Sequence, residues 1–298
     1  MEGSKSIPKG LKEICKELGV KGRPAPLDGG ITNHNFKAEL QDGSSVVLRV
    51  CGKNTDQLGI DRDAERIAAE AAAKLGVGPD VVAYFESSSC LVASFVEGEQ
   101  VTAEMLRKPE VLEPVAKALR RFHDSETLLP TRFNVPTLAR EYARRANAKG
   151  RPEVKQAIKA ADAIATVVED DEVPCHNDLL AGNFIRTSDA VMILDWEYAG
   201  IGSRYFDLGN LSINNGFSEE DDLALLKAYG LEGDKHFARL RLMRAMSDVR
   251  EAMWGVVQEV ISEIEFDFVA YSKQHFERLG KTFADPRIKE WMKLAATP

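Results

Sequence analysis

"CHNDLLAGNF", residues 175–184, places three consecutive polar residues, His176, Asn177 and Asp178, within a short apolar stretch. Another asparagine, Asn183, follows Asp178 by five positions. Burying polar groups costs free energy unless each of them has a hydrogen-bond partner. A cluster of this kind is therefore typical of either a surface loop or an active site, and the rest of the chain decides between the two.

The apolar run "MILDW", residues 192–196, carries one more carboxylate, Asp195. Phosphoryl transfer from a nucleotide requires a carboxylate at the acceptor hydroxyl, oxygen ligands for Mg²⁺ and a cation at the donor phosphates. Asp178, Asn183 and Asp195 have the order and spacing of a kinase catalytic loop and its metal ligands. The strand patterns beside the loop predict that Asn183 and Asp195 meet at the ends of a hairpin. The cluster is therefore interpreted as a catalytic loop.

The alternative for these residues is a solvated turn in which Asp and Asn act only as turn formers. Asp195 disfavours this alternative, because it is expected to lie inside an otherwise apolar strand. His176 is interpreted as a structural residue that orients the loop through hydrogen bonds, since a lone histidine is more often structural than a proton shuttle.

Composition and charge argue against several classes of protein. The 298 residues are 44% hydrophobic and 29% charged, which is ordinary for a soluble globular protein. The formal net charge of −8 argues against a nucleic-acid binder, which would normally carry a basic face. There is no apolar run of the roughly 20 residues that span a membrane, and no hydrophobic signal core at the start. The four cysteines are scattered, so reduced thiols and a cytoplasmic location are expected.

Residues 1–97 are predicted to form a small N-terminal, nucleotide-binding lobe rich in β-strands. Two strand patterns flank Asp42-Gly43, a pair typical of a hairpin turn. A helical pattern follows from Asp61 and ends at Gly76.

Residues 98–298 are predicted to form a larger, mainly helical lobe that contains the catalytic loop and the acceptor site. Short strands are expected only at 173–176, 183–187 and 190–195, and helix resumes from Glu219 to the end. The predicted fold class is thus α+β and bilobal.

Three runs resemble the choline/ethanolamine kinase family, which belongs to the wider aminoglycoside-phosphotransferase group with a protein-kinase-like fold. They are residues 175–184, Asp195-Trp196-Glu197-Tyr198-Ala199-Gly200 and Phe206-Asp207-Leu208-Gly209-Asn210. The resemblance covers most of the chain and implies ATP and Mg²⁺ as cofactors, with Asp178 as the base. It also implies that Asn183 and Asp195 hold magnesium. Asp207 is then expected to support the catalytic loop.

The nucleotide-binding residues are expected around the small lobe. The run Gly29-Gly30-Ile31-Thr32-Asn33 lacks the three-glycine spacing of protein kinases, but its backbone N–H groups are expected to approach the ATP phosphates. Arg49 stands where protein kinases have a lysine and can grip phosphate with two nitrogens, with Glu65 orienting it. A plain surface salt bridge is the alternative for that pair. Backbone groups of Ser94 and Val96 are expected to bind adenine. The predicted cofactor-binding residues are Gly30, Thr32, Asn33, Arg49, Glu65, Ser94 and Val96.

The acceptor site is predicted from aromatic and acidic residues. A quaternary ammonium group cannot donate a hydrogen bond, so its site needs aromatic faces and carboxylates. The candidates are Tyr198, Glu251, Trp254 and Tyr271, and the region that holds the last three resembles the choline cage of the family. Glu251 stands where choline kinases can carry a second tryptophan. A primary ammonium would therefore suit this site as well as a trimethylated one.

The alternative for Trp254 and Tyr271 is core packing, because the apolar residues between them repeat at helical spacing. On one continuous helix the two rings would lie roughly 25 Å apart, too far for one cage. However, Ser262-Glu263-Ile264-Glu265 has the form of a capping box and predicts that a new helix starts there. Such a break would allow the two rings to meet in one pocket.

The predicted function is ATP- and Mg-dependent phosphorylation of the hydroxyl of a small amino alcohol, choline or ethanolamine. One alternative is a kinase of the same fold that acts on an aminoglycoside, a sugar or homoserine, and an unusually acidic pocket would favour the aminoglycoside. A second is a nucleotide-binding regulator without turnover. The presence of Asp178, Asn183 and Asp195 disfavours the regulator.

Overall fold

The computed structural model describes residues 10–27, 33–52, 55–168 and 171–297. In these residues an antiparallel five-stranded sheet, in the spatial order β1-β2-β3-β5-β4, forms the core of the N-terminal lobe. Its strands are β1 (Val20–Pro26), β2 (Asn33–Leu40), β3 (Ser45–Cys51), β4 (Val81–Phe85) and β5 (Cys90–Ser94).

The predicted hairpin and helix of this lobe are confirmed. Strands β2 and β3 pair in register from Asn33 opposite Cys51, and Gly43 takes a positive φ of 90° in the turn between them. Helix α1 (Leu11–Glu17) packs on the sheet, and helix α2 (Arg62–Lys74) begins after Asp61, whose side chain accepts two backbone hydrogen bonds as an N-cap.

The C-terminal lobe is mainly helical, as predicted. Its helices are α3 (Pro109–His123), α4 (Val135–Arg145), α5 (Pro152–Ala165), α6 (Arg204–Asn214), α7 (Glu219–Tyr229), α8 (Asp234–Ile261), α9 (Phe268–Ala284) and α10 (Ile288–Ala295). Its short strands are β6 (Glu99–Gln100), β7 (Val173–Cys175), β8 (Phe184–Arg186), β9 (Val191–Ile193) and β10 (Gly200–Gly202). The buried alanines of α2 pack in the same core as α3, so the two lobes share apolar packing. The division at residues 97 and 98 stays a prediction.

The hairpin of β8 and β9 brings the two metal-ligand candidates, Asn183 and Asp195, together at its ends, as predicted. Phe184 pairs with Ile193, and the backbone N–H of Leu194 donates to the carbonyl of Asn183 at 2.8 Å. The expectation that Asp195 lies inside the strand is wrong, because β9 ends at Ile193 and Asp195 has a φ of 65°. This left-handed conformation is tolerated by aspartate and turns the chain out of the sheet.

Helix α6 was not predicted from the sequence. Its polar residues and Gly209 obscure the apolar periodicity that identifies a helix, and every residue from Tyr205 to Ile213 is buried. A helix that is buried on all sides presents no polar face from which to recognise it.

The predicted break between Trp254 and Tyr271 is confirmed, but its cap is wrong. Helix α8 ends at Ile261, and α9 begins only at Phe268, where Asp267 accepts the N-cap hydrogen bond. The hydroxyl of Ser262 accepts from the backbone N–H two residues later at 3.1 Å, which forms a local turn rather than a helix start.

We expect Gly209→Ala to destabilise the fold. A Cβ at this position would lie 2.6 Å from the carbonyl carbon of Met243 and 2.7 Å from the nitrogen of Arg244, both backbone atoms of α8. Overpacking of this kind costs about 1–3 kcal/mol. Gly280→Ala in α9 is the control, because nothing lies within 4 Å of a Cβ there and alanine favours helix. Thermal unfolding of both variants tests this, and equal melting temperatures would contradict the close packing of α6 on α8.

Candidate active site

A cavity of about 580 Å³ lies between the two lobes. Apolar side chains from β3 and β5, including Val47, Leu91 and Ala93, line one part of it. Its polar end is formed by Arg49, Glu65, Asn183 and Asp195. An apolar space of this size beside charged groups suits a nucleotide, with the base between the lobes and the phosphates at the polar end.

The connection after β5 forms one wall of this cavity and includes Ser94 and Val96. The backbone N–H of Ser94 donates to the carbonyl of Asp80 at 2.8 Å. Of its two backbone groups, Ser94 can therefore offer a ligand only the carbonyl, whereas Val96 remains a candidate for either backbone group. Gly30 and Thr32, the predicted phosphate-loop residues, lie outside the described residues.

The catalytic loop has little regular structure of its own, and helix α6 holds it by its backbone. The carboxylate of Asp207 accepts the N–H of His176 at 2.8 Å and the N–H of Asn177 at 2.7 Å. The side chain of Asn210, one helical turn later, accepts the N–H of Leu179 at 2.6 Å. The two hydrogen bonds to the Asp207 carboxylate are charge-assisted and fix the backbone firmly. Together with the bond to Asn210, they account for the polar side chains inside the helix.

Two further side chains complete this support. Asn215, directly after α6, accepts the N–H of Ala181 at 2.8 Å. The Nε2 atom of His123 lies 2.9 Å from Asp207, and its Nδ1 atom lies 2.8 Å from the hydroxyl of Tyr229. Asp207 is completely buried, so these contacts compensate for the desolvation of its carboxylate.

His176 lies at the centre of the loop with both ring nitrogens engaged. Its Nε2 is 2.8 Å from the carbonyl of Leu194, and its Nδ1 accepts the N–H of Asp178 at 3.2 Å. Burial lowers the pKa of this imidazole. A neutral ring with the proton on Nε2 satisfies both contacts, and the ring then links the loop to the segment that carries Asp195.

Asp178 follows His176 and is the candidate base. Burial raises the pKa of its carboxyl to about 8, although the Arg250 guanidinium at 3.5 Å acts in the opposite direction. Its backbone carbonyl accepts the side-chain N–H of Asn183 at 2.8 Å. Asp178 is therefore held from both sides, by Asn183 of its own loop and by Arg250 of α8.

Asn183 and Asp195 offer oxygen atoms at the polar end of the cavity. Because the amide nitrogen of Asn183 is used within the loop, its Oδ1 is the atom it can present to a ligand. Asp195 forms an ion pair with Arg49. An amide oxygen and a carboxylate are the hard ligands that Mg²⁺ prefers, so the donor set fits this ion when nucleotide phosphates supply further oxygens.

Arg49 belongs to a partly buried network of alternating charges rather than to a surface salt bridge. Its Nε lies 3.0 Å from Glu65, and its Nη2 lies 3.4 Å from Glu197. Arg62 pairs with Glu65 at 2.6 Å, and the amide of Asn33 donates to Glu197 at 2.8 Å. The side chain of Asn33 is thus engaged in this network, which ties β2, β3 and α2 to the segment after β9.

The four predicted acceptor residues come together beside Asp178. The indole N–H of Trp254 donates to the hydroxyl of Tyr198 at 3.0 Å, and the hydroxyl of Tyr271 donates to Glu251 at 2.7 Å. The rings of Trp254 and Tyr271 are 5.6 Å apart, not on distant turns of one helix. Trp254 is only 6% exposed and also packs against Phe268, so it takes part in the core as well.

Arg250 is the largest difference from the sequence-based expectations for this site. It is 3% exposed, its Nη1 lies 2.9 Å from Glu251, and its guanidinium lies 4.3 Å from the ring of Tyr198. Arginine is almost never buried without a partner, so its position in a helix stretch that is otherwise mostly apolar was the available signal.

Several other contact residues had no assigned role in the sequence-based predictions. Each is a polar side chain, buried or partly buried, that contacts the loop or the charge network: Arg62, His123, Glu197, Asn210 and Asn215. Arg62, His123 and Asn215 have polar or charged neighbours in the sequence, so no pattern distinguishes them from surface residues. In the described residues, no helix is both long and apolar enough to cross a membrane.

Comparisons with known proteins agree with this geometry. The family profile described as choline/ethanolamine kinase matches residues 25–224. "Probable ethanolamine kinase A" of Dictyostelium discoideum is 27% identical, over 86% of this chain and 84% of that protein. "Probable choline kinase 2" of Arabidopsis thaliana is 25% identical, over 88% of this chain and 85% of that protein.

A solved structure extends the similarity to the fold. The choline/ethanolamine kinase family protein from Mesorhizobium loti is 28% identical, with a TM-score of 0.81, and the match covers 96% of this chain and 98% of that one. The bilobal α+β architecture is thus the protein-kinase-like fold, and the profile match spans more than half of the sequence. The chain therefore belongs to the choline/ethanolamine kinase family of phosphotransferases that act on an alcohol group.

Proposed function

We propose that this protein transfers the γ-phosphoryl group of Mg·ATP to the hydroxyl of a small amino alcohol, ethanolamine or choline. One observation carries the proposal. Asp178 is connected on one side to Asn183 at the polar end of the nucleotide-sized cavity, and on the other side to the cluster of carboxylate and aromatic groups around Glu251. A base between a phosphate site and an ammonium site suits this reaction. Relatives named as ethanolamine and choline kinases support it further.

The nucleotide is proposed to lie between the lobes. The carbonyl of Ser94 and a backbone group of Val96 would bind the adenine edge, and Arg49, oriented by Glu65, would bind phosphate. The loop that contains Gly30 and Thr32, followed by Asn33, would cover the phosphates. Asn183 and Asp195 would hold Mg²⁺, which when bound neutralises charge that develops on the phosphates.

Asp178 is proposed to accept the proton of the acceptor hydroxyl as that oxygen attacks. A carboxylate in a poorly solvated site is a stronger base than one in water, because burial disfavours its charged form. The acceptor ammonium would lie near Glu251, Trp254 and Tyr271, with Tyr198 completing the pocket. His176 and Asp207 are proposed to support the loop without touching the substrates.

We expect turnover to rise with pH through a range far above that of an ordinary carboxyl group. The pKa of the Asp178 carboxyl is raised from 3.8 to about 8, so the group is mostly protonated, and inactive as a base, at pH 6 to 7. A pH profile of kcat measured with saturating Mg·ATP and acceptor should have its ascending limb in this region. A profile that is flat from pH 6 to pH 9 would argue against Asp178 as the base.

The proposed function is tested by measuring ATP consumption with a panel of acceptors. The panel contains ethanolamine, choline, homoserine, a hexose and an aminoglycoside, each with and without magnesium. We expect magnesium-dependent turnover with an amino alcohol and little with the sugar or the aminoglycoside. Preferred turnover of an aminoglycoside would assign the chain to another activity of the same fold, and ATP binding without any turnover would favour a regulator.

A further inference from the structure

The acceptor site contains a cation that belongs to the protein itself. The guanidinium of Arg250 covers the ring of Tyr198 at 4.3 Å, while its Nη1 lies 2.9 Å from Glu251 and 3.5 Å from Asp178. An aromatic face and two carboxylates are the groups that would otherwise receive a quaternary ammonium. Arg250 therefore occupies the contacts that an aromatic cage would offer to a substrate.

The other aromatic rings of the site pack against one another. Tyr271 contacts Trp254, Phe266 and His275, with ring centroids between 4.6 and 6.0 Å apart, and Trp254 is 6% exposed. The carboxylate of Glu251 differs from these rings. Its Oε1 accepts hydrogen bonds from Arg250 at 2.9 Å and from Asn214 at 3.5 Å, whereas its Oε2 accepts one, from Tyr271 at 2.7 Å. A carboxylate oxygen can accept two, so Oε2 can accept one more. Hydrogen-bond acceptors, rather than open aromatic faces, are what this site has left to offer.

Arg250 is poorly explained as a purely structural residue. Its Nε and Nη2 are buried and have no hydrogen-bond partner among the described residues. Buried donors without partners cost free energy, and an apolar side chain would fill the same volume without that cost. The retention of a charged side chain beside Asp178 therefore points to a role in the reaction or in the choice of acceptor.

We propose that Arg250 is the specificity-determining residue of the acceptor site, and that it directs the protein toward acceptors with a primary ammonium. This inference rests on the proposed function. With the hydroxyl at Asp178, the nitrogen of an amino alcohol is only two carbon atoms away, close to Glu251. A primary ammonium can donate hydrogen bonds to that carboxylate, whereas a trimethylated nitrogen has no N–H and needs the Tyr198 face that Arg250 covers.

The test is a methylation series in wild type and Arg250→Met. We would measure kcat/KM for ethanolamine, N-methylethanolamine, N,N-dimethylethanolamine and choline. In wild type the value should fall along the series. Met fills a similar space without charge, so in Arg250→Met the ratio of choline to ethanolamine should rise about tenfold, equivalent to ~1.4 kcal/mol and within the range of a cation–π contact.

The ratio is informative even if the variant is less active or partly unfolded, because both acceptors are measured on the same preparation. Arg250→Lys provides a milder change that keeps the charge but not the planar group, and a smaller shift in the same direction is expected. Arg241→Met is the matched control, because Arg241 lies on the same helix and its partner Asp222 keeps a second ion pair with Arg244 at 2.8 Å. The control should leave the ratio unchanged.

The experiment distinguishes a wrong role for Arg250 from a wrong proposed function. If wild type phosphorylates ethanolamine or choline but Arg250→Met and Arg250→Lys keep its ratio, the role of Arg250 is refuted and the proposed function stands. A wild type that prefers choline refutes the role as well. If wild type phosphorylates no member of the series, the proposed function fails and the inference fails with it.

Discussion

Asp178→Asn is expected to lower kcat by about a hundredfold or more, the scale of the loss of a general base. The amide keeps the shape of the side chain and cannot accept the proton of the acceptor hydroxyl. Binding of Mg·ATP, measured by calorimetry, should change little, because the hydrogen bond that Asn183 donates to Asp178 is to its backbone carbonyl, which the substitution keeps. A variant with near-normal kcat would remove Asp178 from the role of base.

The same variant should unfold at a higher temperature than wild type at alkaline pH. Because the pKa of the buried carboxyl is raised from 3.8 to about 8, folding favours its protonated form. The wild type therefore loses stability as the pH rises from the lower value through the higher one, whereas an amide does not ionise. The difference in melting temperature between variant and wild type should grow from pH 5 to pH 9. A constant difference would mean that the carboxyl titrates normally.

Asp195→Ala is expected to abolish activity at millimolar magnesium. The variant loses one of the two proposed magnesium ligands, the carboxylate. It keeps the other, the amide of Asn183, which is a weak ligand on its own. It also releases Arg49 from its ion pair with Asp195, although Arg49 keeps Glu65 at 3.0 Å. Activity should therefore depend on magnesium concentration far more steeply than in wild type, if any activity remains.

Asp189→Ala supplies the control for that experiment. Asp189 is an exposed carboxylate in the turn of the same hairpin, and it should be replaceable without effect on the magnesium dependence. A fully active Asp195→Ala enzyme would show that this aspartate serves only to balance the charge of Arg49.

The hairpin that brings Asn183 and Asp195 together could be predicted because its information is local, whereas the catalytic role of the loop stays a prediction. Asp178 and Asn183 are five residues apart, and the strands beside Asn183 and Asp195 are short and apolar, so spacing and periodicity were enough. The meeting of Trp254 with Tyr271 was predictable for a similar reason. The signal for the helix break lies in the few residues beside it, although the predicted cap at Ser262 was wrong.

The support of the loop could not be predicted from sequence patterns, because its partners are distant in sequence. Of the residues outside the loop, only Asp207 was expected in this role, and only through the resemblance to the family. The side chains of Asp207 and Asn210 lie some thirty residues from the amides they bind, inside a helix without a solvent face. Arg250 was missed because burial of an arginine depends on tertiary neighbours, here Tyr198 and Glu251, and not on its own helix. Sequence periodicity reports which face of a helix is apolar, whereas α6 and the central part of α8 are buried on every side.

The hold of α6 on backbone amides has a consequence for how this site can change during evolution. Because His176, Asn177, Leu179 and Ala181 are bound through their N–H groups, the shape of the loop is encoded mainly outside the loop. Side chains such as that of the half-exposed Leu180 can then diversify without altering the path of the chain. Loop and helix would have to be inherited, or transplanted into another scaffold, as one unit.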